Sequence, residues 1–324
     1  MKLSTHPLTT TVIGSWPKPP WLSSPHHDTS GWRIDRDWRF QGEELRKKQD
    51  QATEWALRQQ EATGVDIVSD GEERRDNYIY YHCRHLDGFD FEHRICTAGR
   101  SGAWEWAMPT ITGPIASRQV FLPADYQFVR HRTDRRVKMS IPGPMTIVDS
   151  AKDEYYRDEA ALTMDLAAAI RQEVEALADT GCEIIQFDEP AFIRYPQKMS
   201  DHGLRALEAC FQGITGITTS VHICRGYPVD SYTKASIDSY DLIVPMLAGS
   251  KIDQISIEGG AQPLDLDLLR RFGDKDVIFG LVDVGEPRVE TVEEIEARIR
   301  QVLDHIEPDR LYLGPDCGMI FLNS

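Results

Sequence analysis

Residues 158–190 read DEAALTMDLAAAIRQEVEALADTGCEIIQFDEP. From Asp158 to Asp179 the apolar residues recur at three- and four-residue spacing, the period of an amphipathic helix. Gly181 stands where such a helix should end, because glycine takes the left-handed backbone of a C-terminal cap at little steric cost. The apolar run 183–187 that follows has the length of a buried strand, and Asp188-Glu189-Pro190 sets two carboxylates at its C-terminal end. This segment is one helix–strand unit whose strand runs into chemically active residues.

The same plan recurs along the chain. Strand-like runs fall at 10–14, 65–69, 137–141, 183–187, 217–222, 254–258, 277–281 and 310–314, and helical periodicity is clearest over 43–63, 158–179, 201–212 and 290–305. Gly64, like Gly181, marks a helix end. Strands alternating with helices predict a parallel sheet, and eight such units predict an α/β fold closed as a (β/α)8 TIM barrel. Two irregularities stand out. Residues 70–136 are too long for a simple connection and predict an insertion after strand two, either bordering the site or merely decorative. Past Pro315-Asp316-Cys317-Gly318 only Met319 to Ser324 remain, so no final helix is expected, and another surface, such as a second subunit, should cover strand eight. No repeat, low-complexity tract or linker divides the 324 residues, which predicts a single domain over 1–324.

Composition narrows the partners. A net charge of −16 would repel nucleic acid and anionic membranes, which leaves a small molecule as the expected ligand. No apolar run is long enough to span a bilayer and Met1 to His6 lacks a secretory apolar core, so the expected compartment is the cytoplasm. The six cysteines, Cys83, Cys96, Cys182, Cys210, Cys224 and Cys317, are too widely spaced for a disulfide framework. They are expected to be thiols or metal ligands.

The ends of the predicted strands carry the chemistry: Gly14-Ser15, Asp70-Gly71-Glu72, Pro142-Gly143-Pro144, Asp188-Glu189-Pro190, His222-Ile223-Cys224, Glu258-Gly259-Gly260, Asp283-Val284-Gly285 and Asp316-Cys317-Gly318. In a barrel of this kind these positions converge at one mouth. His222 and Cys224, two apart on a strand, point to the same face and can reach one metal ion. Cys317 adds a second thiolate and Glu258 a carboxylate suited to a fourth, exchangeable position, which together describe a catalytic zinc site. Taken singly, each has a plainer reading: a hydrogen-bonded core histidine, a packed thiol, a carboxylate in an ion pair. Their shared placement on strands five, six and eight favours the metal.

The ordered set Thr11-Val12-Ile13-Gly14-Ser15, Asp70-Gly71-Glu72, Asp188-Glu189-Pro190, His222-Ile223-Cys224 and Pro315-Asp316-Cys317-Gly318 resembles the catalytic barrel of the cobalamin-independent methionine synthases over about residues 8–319. The chain is similar to their short "core" type, without the additional N-terminal barrel of the large enzymes, and to the related epoxyalkane:coenzyme M transferases. The resemblance implies zinc held by His222, Cys224, Glu258 and Cys317. It also implies homocysteine bound through Ile13 and Ser15 at its amino-acid end, with the carboxylates of Glu72 and Asp188 on its ammonium group. The other partner for Glu72 is Arg74 or Arg75.

The methyl-folate half of the pattern is absent. Ser150 lies in the stretch where the large enzymes carry a pterin-contacting Trp, Arg194 stands in place of a folate-binding Glu, and Gly285 replaces the general-acid His. Because expulsion of a folate nitrogen needs a proton, these losses favour a donor that leaves without one, such as a methylcorrinoid presented by a partner protein, or a sulfonium. Asp283 and Glu286 are candidate replacement acids. Two further functions fit the same motifs: a zinc-dependent alkyltransferase opening an epoxide with coenzyme M or another thiol, and a non-catalytic zinc- or thiol-binding subunit. The retained carboxylates argue for an amino-acid thiol, since a sulfonate prefers Arg or Lys.

Overall fold

The computed structural model describes residues 6–24, 37–98, 105–226, 239–285, 288–320 and 322. Eight parallel strands form the sheet: β1 (Thr9–Thr10), β2 (Ile67–Val68), β3 (Arg136–Pro142), β4 (Ile184–Asp188), β5 (Thr218–Ile223), β6 (Gln254–Ile257), β7 (Asp276–Val282) and β8 (Leu311–Pro315). Each pairs with its sequence neighbour from β2 to β8, β1 pairs with β8, and a parallel bridge between Thr11 and Ile67 joins β1 to β2. Asp66 reinforces that seam by accepting from both the N–H and the hydroxyl of Thr10 (2.8 and 2.7 Å). The ring is thereby closed, and all eight runs read from the sequence are strands of it.

Two separate cores follow from the closure. Outward-facing side chains pack under the helices in one large cluster, whereas Ile13, Ile67, Ile184, Ile278 and Tyr312 form a second, small cluster inside the barrel. Above that cluster, toward the mouth, the inward positions include the buried polar residues Ser140, Gln186, Ser220 and Ser256.

Helices around the barrel include α1 (Gly42–Ala62), α2 (Leu122–Arg130), α3 (Glu159–Asp179), α4 (Leu204–Ala209), α5 (Tyr240–Ala248) and α6 (Val292–Leu303). In α3 Asp158 caps the first turn by accepting from the N–H groups of Ala160 and Ala161, and its buried face carries Leu162, Leu166, Ile170, Val174 and Leu177. Gly64 and Gly181 both take positive φ, 84° and 83°, just past α1 and α3. The segment read as a helix over 201–212 begins with a π-helical turn at Met199–Gly203 and ends at Ala209. Pro245 lies inside α5, which removes a backbone donor and blurs the helical period in the sequence. Between β6 and β7 a 3-10 helix, Leu266–Phe272, takes the place of a regular α-helix.

The region 70–136 is only partly an insertion. Residues 122–130 are α2, an ordinary barrel helix, so the excess is a long antiparallel hairpin, Leu86–Ala98 with Glu105–Ser117, preceded by the short helix Tyr80–Cys83. Lys152–Asp153 extends that hairpin in parallel, and the Tyr80 hydroxyl donates to the Ser150 carbonyl (2.9 Å), so the hairpin is tied to the loop after β3. Among the described residues no helix follows β8, whose outward-facing Leu311 is nevertheless buried. No helix among them is long and apolar enough to cross a membrane.

Candidate metal and substrate site

At the mouth, His222 is the penultimate residue of β5, with its Cα in register with Asp188 on β4 and Ser256 on β6. Register partners in a parallel sheet present side chains to the same face, so a histidine, a carboxylate and a hydroxyl share one inward row. The ligand atoms of His222, Cys224 and Cys317 all lie within 4.8 Å of one another. His222 Nδ1 and the Ser256 hydroxyl are 2.9 Å apart, which fixes the ring and turns Nε2 inward. Nε2 is buried and has no hydrogen-bond partner in the chain. A buried imidazole nitrogen left bare beside two sulfurs is the donor set that a thiophilic cation such as zinc takes. Burial alone would hold the His222 ring neutral, yet Cys224, Asp188 and Glu258 raise it above its ordinary value, so the pocket carries negative charge that a cation would offset.

Glu258 is fully buried but falls outside that mutual 4.8 Å group; its Oε2 accepts from the Arg225 N–H at 2.8 Å. Ser256 is a residue that the motif reading passed over. Its signal in the sequence is its position two before Glu258, on the same face of the strand. The loop after β6 is held by Asp316, whose carboxylate accepts from the N–H groups of Gly259, Gly260 and Ala261 (3.0, 2.8 and 2.6 Å). That arrangement couples the segment carrying Cys317 to the one carrying Glu258.

The remaining cysteines are not part of this ligand group. Cys83, Cys182 and Cys210 are buried, and burial pushes all three thiols upward, Cys182 to about 12, so they are packed and inert.

Glu72 lies next to the metal group through its neighbour Asp188. Gly71 and Glu72 both adopt left-handed backbone, with φ of 65° and 56°, and for a glutamate this conformation carries a cost of about 1 kcal/mol. The turn aims the Glu72 carboxylate back across the barrel: Oε1 accepts from the Ser140 hydroxyl at 2.6 Å and meets Arg75 Nη1 at 3.3 Å. Gly14 makes room for it, since a Cβ there would stand 2.6 Å from Oε1. The Arg75 pairing foreseen as the alternative for Glu72 is therefore present, and Arg75 is shared with Asp70 at 3.6 Å. Asp188 accepts from Gln186 Nε2 at 2.7 Å; burial, with Glu72 close by, pushes its carboxyl up to about 7 against the opposing pull of His222 and Gln186.

Ile13 belongs to the interior cluster and its carbonyl accepts from Gln186 Nε2 at 2.9 Å. Ser15 packs against the loop after β8: its carbonyl accepts from the Met319 N–H at 2.9 Å, and a Cβ at Gly318 would come within 2.2 Å of its hydroxyl oxygen. The candidate amino-acid-end and metal-end residues thus adjoin one another.

On the donor side, Arg194 Nη1 pairs with Asp149 at 2.8 Å, where the Tyr195 hydroxyl also donates (3.0 Å). Ser150 is buried at the end of the short helix Pro144–Asp149. Asp283 accepts from the Gly285 N–H at 2.9 Å, and Glu286 lies outside the described residues.

Glu189, adjacent to Asp188, has an architectural task. Its carboxylate accepts from the N–H groups of Met145 and Thr146 and from the Thr146 hydroxyl (2.8, 3.0 and 2.8 Å), capping the helix that begins at Pro144. Burial pushes this carboxyl up to about 8. Glu189→Ala is expected to lower unfolding stability by about 2–4 kcal/mol by leaving buried donors unpaired, while Glu189→Gln, which keeps an acceptor, costs clearly less. Denaturant unfolding of both variants measures the difference.

A family model for the cobalamin-independent synthase catalytic domain matches residues 8–323. A methionine synthase of Saccharolobus solfataricus is 31% identical over 322 residues, 98% of this chain and 89% of the relative. One from Thermococcus kodakarensis is 31% identical over 320 residues, 98% and 88% of the two chains. The solved structure of a B12-independent methionine synthase from Shewanella sp. W3-18-1, in complex with selenomethionine, is similar with a TM-score of 0.91 at 34% identity, covering 98% of this chain and 93% of that one. The putative vitamin-B12 independent methionine synthase of Listeria monocytogenes, at 20% identity and a TM-score of 0.72, shares the fold. With the match spanning the whole barrel and every strand-end motif, this chain belongs to the cobalamin-independent synthase catalytic-domain family.

Proposed function

We propose that the protein is a zinc-dependent S-methyltransferase that transfers a methyl group to homocysteine, giving methionine, from a donor other than methyl-tetrahydrofolate. The observation that carries this reading is the meeting of two features at one mouth: the His222, Cys224 and Cys317 group, and the adjacent carboxylate of Asp188. The first suits a thiol's sulfur and the second its ammonium group.

His222, Cys224 and Cys317 would hold the zinc, with Glu258 as the fourth, exchangeable ligand. Bound there, the metal supplies Lewis acidity that lowers the thiol pKa enough for a thiolate to exist at neutral pH. The Ser256 hydroxyl orients the imidazole, and Asp316 holds the loop beside Glu258. Asp188 anchors the substrate ammonium, while Ser15 and the Ile13 backbone border its amino-acid end. Glu72 contributes less directly, since Arg75 already balances much of its charge; its part is to keep the pocket negative together with Asp70 and Asp188. The sulfur then attacks the methyl carbon in line: the S–C bond forms as the bond from carbon to the donor breaks, and positioning is the protein's main contribution.

The donor follows from proton supply. Arg194 is engaged by Asp149, Ser150 is buried, and the loop after β7 presents Gly285, with the acids described in that loop held by its own backbone and a neighbouring arginine: Asp283 accepts from the Gly285 N–H, and Glu290 accepts from the Asp283 N–H and pairs with Arg298. A methylcorrinoid, delivered free or on a partner protein, or a methylsulfonium departs without protonation and fits that supply. Zinc-loaded protein is expected to form methionine at least about 10-fold faster from methylcobalamin than from methyl-tetrahydrofolate. Comparable or faster turnover with the folate refutes the donor assignment.

A further inference from the structure

The barrel interior beneath the proposed thiol pocket contains a row of polar side chains that the reaction described above leaves without a task. In β3 Lys138 has its Cα in register with Ile184, a member of the interior cluster, so it points into the barrel. One pleat closer to the mouth, Ser140 is in register with Gln186, Gln186 with Ser220, and Ser220 with Gln254. All of these residues are buried. Four of their polar atoms, Lys138 Nζ, Gln186 Oε1, Ser220 Oγ and Gln254 Nε2, have no hydrogen-bond partner in the chain.

The pattern is neither accidental packing nor an ion pair. Interiors of such barrels are normally filled by bulky branched side chains, whereas serines occupy positions 140, 220 and 256 here. Buried polar groups are costly unless satisfied, and several together in one enclosure are the setting in which buried water is retained. The unpaired atoms include donors, an acceptor and a hydroxyl that serves as both, so a set of waters can link them with every bond satisfied. Register partners on adjacent strands lie about 4.8 Å apart, a spacing that one bridging water spans. The row also reaches the site, because Gln186 donates through its other side-chain atom to Asp188.

We propose that an ordered water chain fills this core, ends on Lys138, and delivers to its amine the proton that the substrate thiol gives up on binding. This rests on the thiol reading above. In that step the S–H bond breaks and its electron pair stays on sulfur, while an N–H bond forms at Lys138 Nζ, turning the neutral amine into an ammonium. A negative charge created at the mouth is thereby balanced by a positive one created in the core below. Lys138 returns the proton to solvent after the product has left. Burial is the main influence on this lysine and pushes its amine down to about 7, opposed by Asp188, the charged group that acts on it. Beyond Asp188 the groups facing this part of the core are Glu72, paired with Arg75, and His222 on the mouth side, with the Tyr312 phenol among the interior residues. Above its midpoint Lys138 is neutral and accepts; below it, the position is already filled.

The test counts protons. Homocysteine is titrated calorimetrically into zinc-loaded protein in buffers of different ionisation enthalpy. Wild type is expected to release fewer than about 0.5 protons per thiol near pH 8 and close to one near pH 6, whereas Lys138→Met releases close to one at both. Equal release by the two proteins near pH 8 overturns the proposal. A second measurement needs neither the variant nor a thiol: in ligand-free wild type carrying lysine labelled at Cε, one lysine resonance is expected to titrate near neutral pH. If every lysine titrates in the ordinary range around 10, Lys138 cannot accept the proton and the proposal fails. Wild type that binds no homocysteine refutes the thiol reading, and this step with it, while the lysine titration still reports the core lysine separately.

Discussion

Replacing Cys317 by serine is expected to abolish the zinc binding proposed above. A serine hydroxyl does not ionise near neutral pH and is a poor ligand for a thiophilic metal, and the remaining donors, His222 and Cys224 with the exchangeable Glu258, leave the coordination too sparse to hold it. Even residues that merely orient a ligand change metal affinity about 10- to 100-fold when removed, so loss of a ligand should exceed about 100-fold. Elemental analysis after dialysis against a mild chelator is the measurement, with Cys96→Ser as the control. Cys96 is exposed on the hairpin and is not in the ligand group, so that variant should keep its metal. Full zinc in Cys317→Ser would remove the basis for the metal site. The fold should persist, since Cys317 is only half-buried and the loop around it is held by Asp316 rather than by the thiol.

The second large effect is expected for Asp188→Asn. The amide keeps the size of the side chain and can still accept from Gln186, but it no longer offers a charge to an ammonium group. A hydrogen bond to a charged group is worth about 1.5–3 kcal/mol, which translates to a KM for homocysteine raised about 10- to 150-fold with a much smaller change in kcat. Zinc content should be unaffected, because Asp188 is not among the clustered ligand atoms. A simple thiol without an amino group should discriminate poorly between wild type and variant. If KM for homocysteine stays within a factor of two or so, the ammonium belongs elsewhere in the pocket, with Glu72 as the remaining carboxylate.

Much of the barrel was legible because the relevant signals are local. A strand buried on both faces reads as a short apolar run, and a helix packed on one face reads as a period of three and four. The run at 183–187 and the periodicity of 158–179 correspond closely to β4 and α3 for that reason. Elements with a weak local signal are not legible in the same way. Leu122–Arg130 was absorbed into an apparent insertion because it is a nine-residue helix directly following a long hairpin. Pro245 obscured α5, and the 3-10 helix at Leu266–Phe272 has no α-helical period to detect.

The candidate site divides in the same way. From the chain alone one reads which residue types stand at the ends of the strands, and the (β/α)8 topology requires those ends to share one mouth; His222, Cys224 and Cys317 are legible on that basis although 95 residues or so separate the first from the last. Only the folded barrel decides what each of them faces. Whether Glu72 meets an arginine or a ligand depends on a left-handed turn and on Gly14 across the ring, and whether His222 is poised for a metal depends on a serine in the next strand. The polar row ending at Lys138 is likewise invisible in the sequence, where each residue is an ordinary polar position in a strand. Inward or outward is set by barrel closure and inter-strand register, and those are properties of pairs of strands that no single segment encodes.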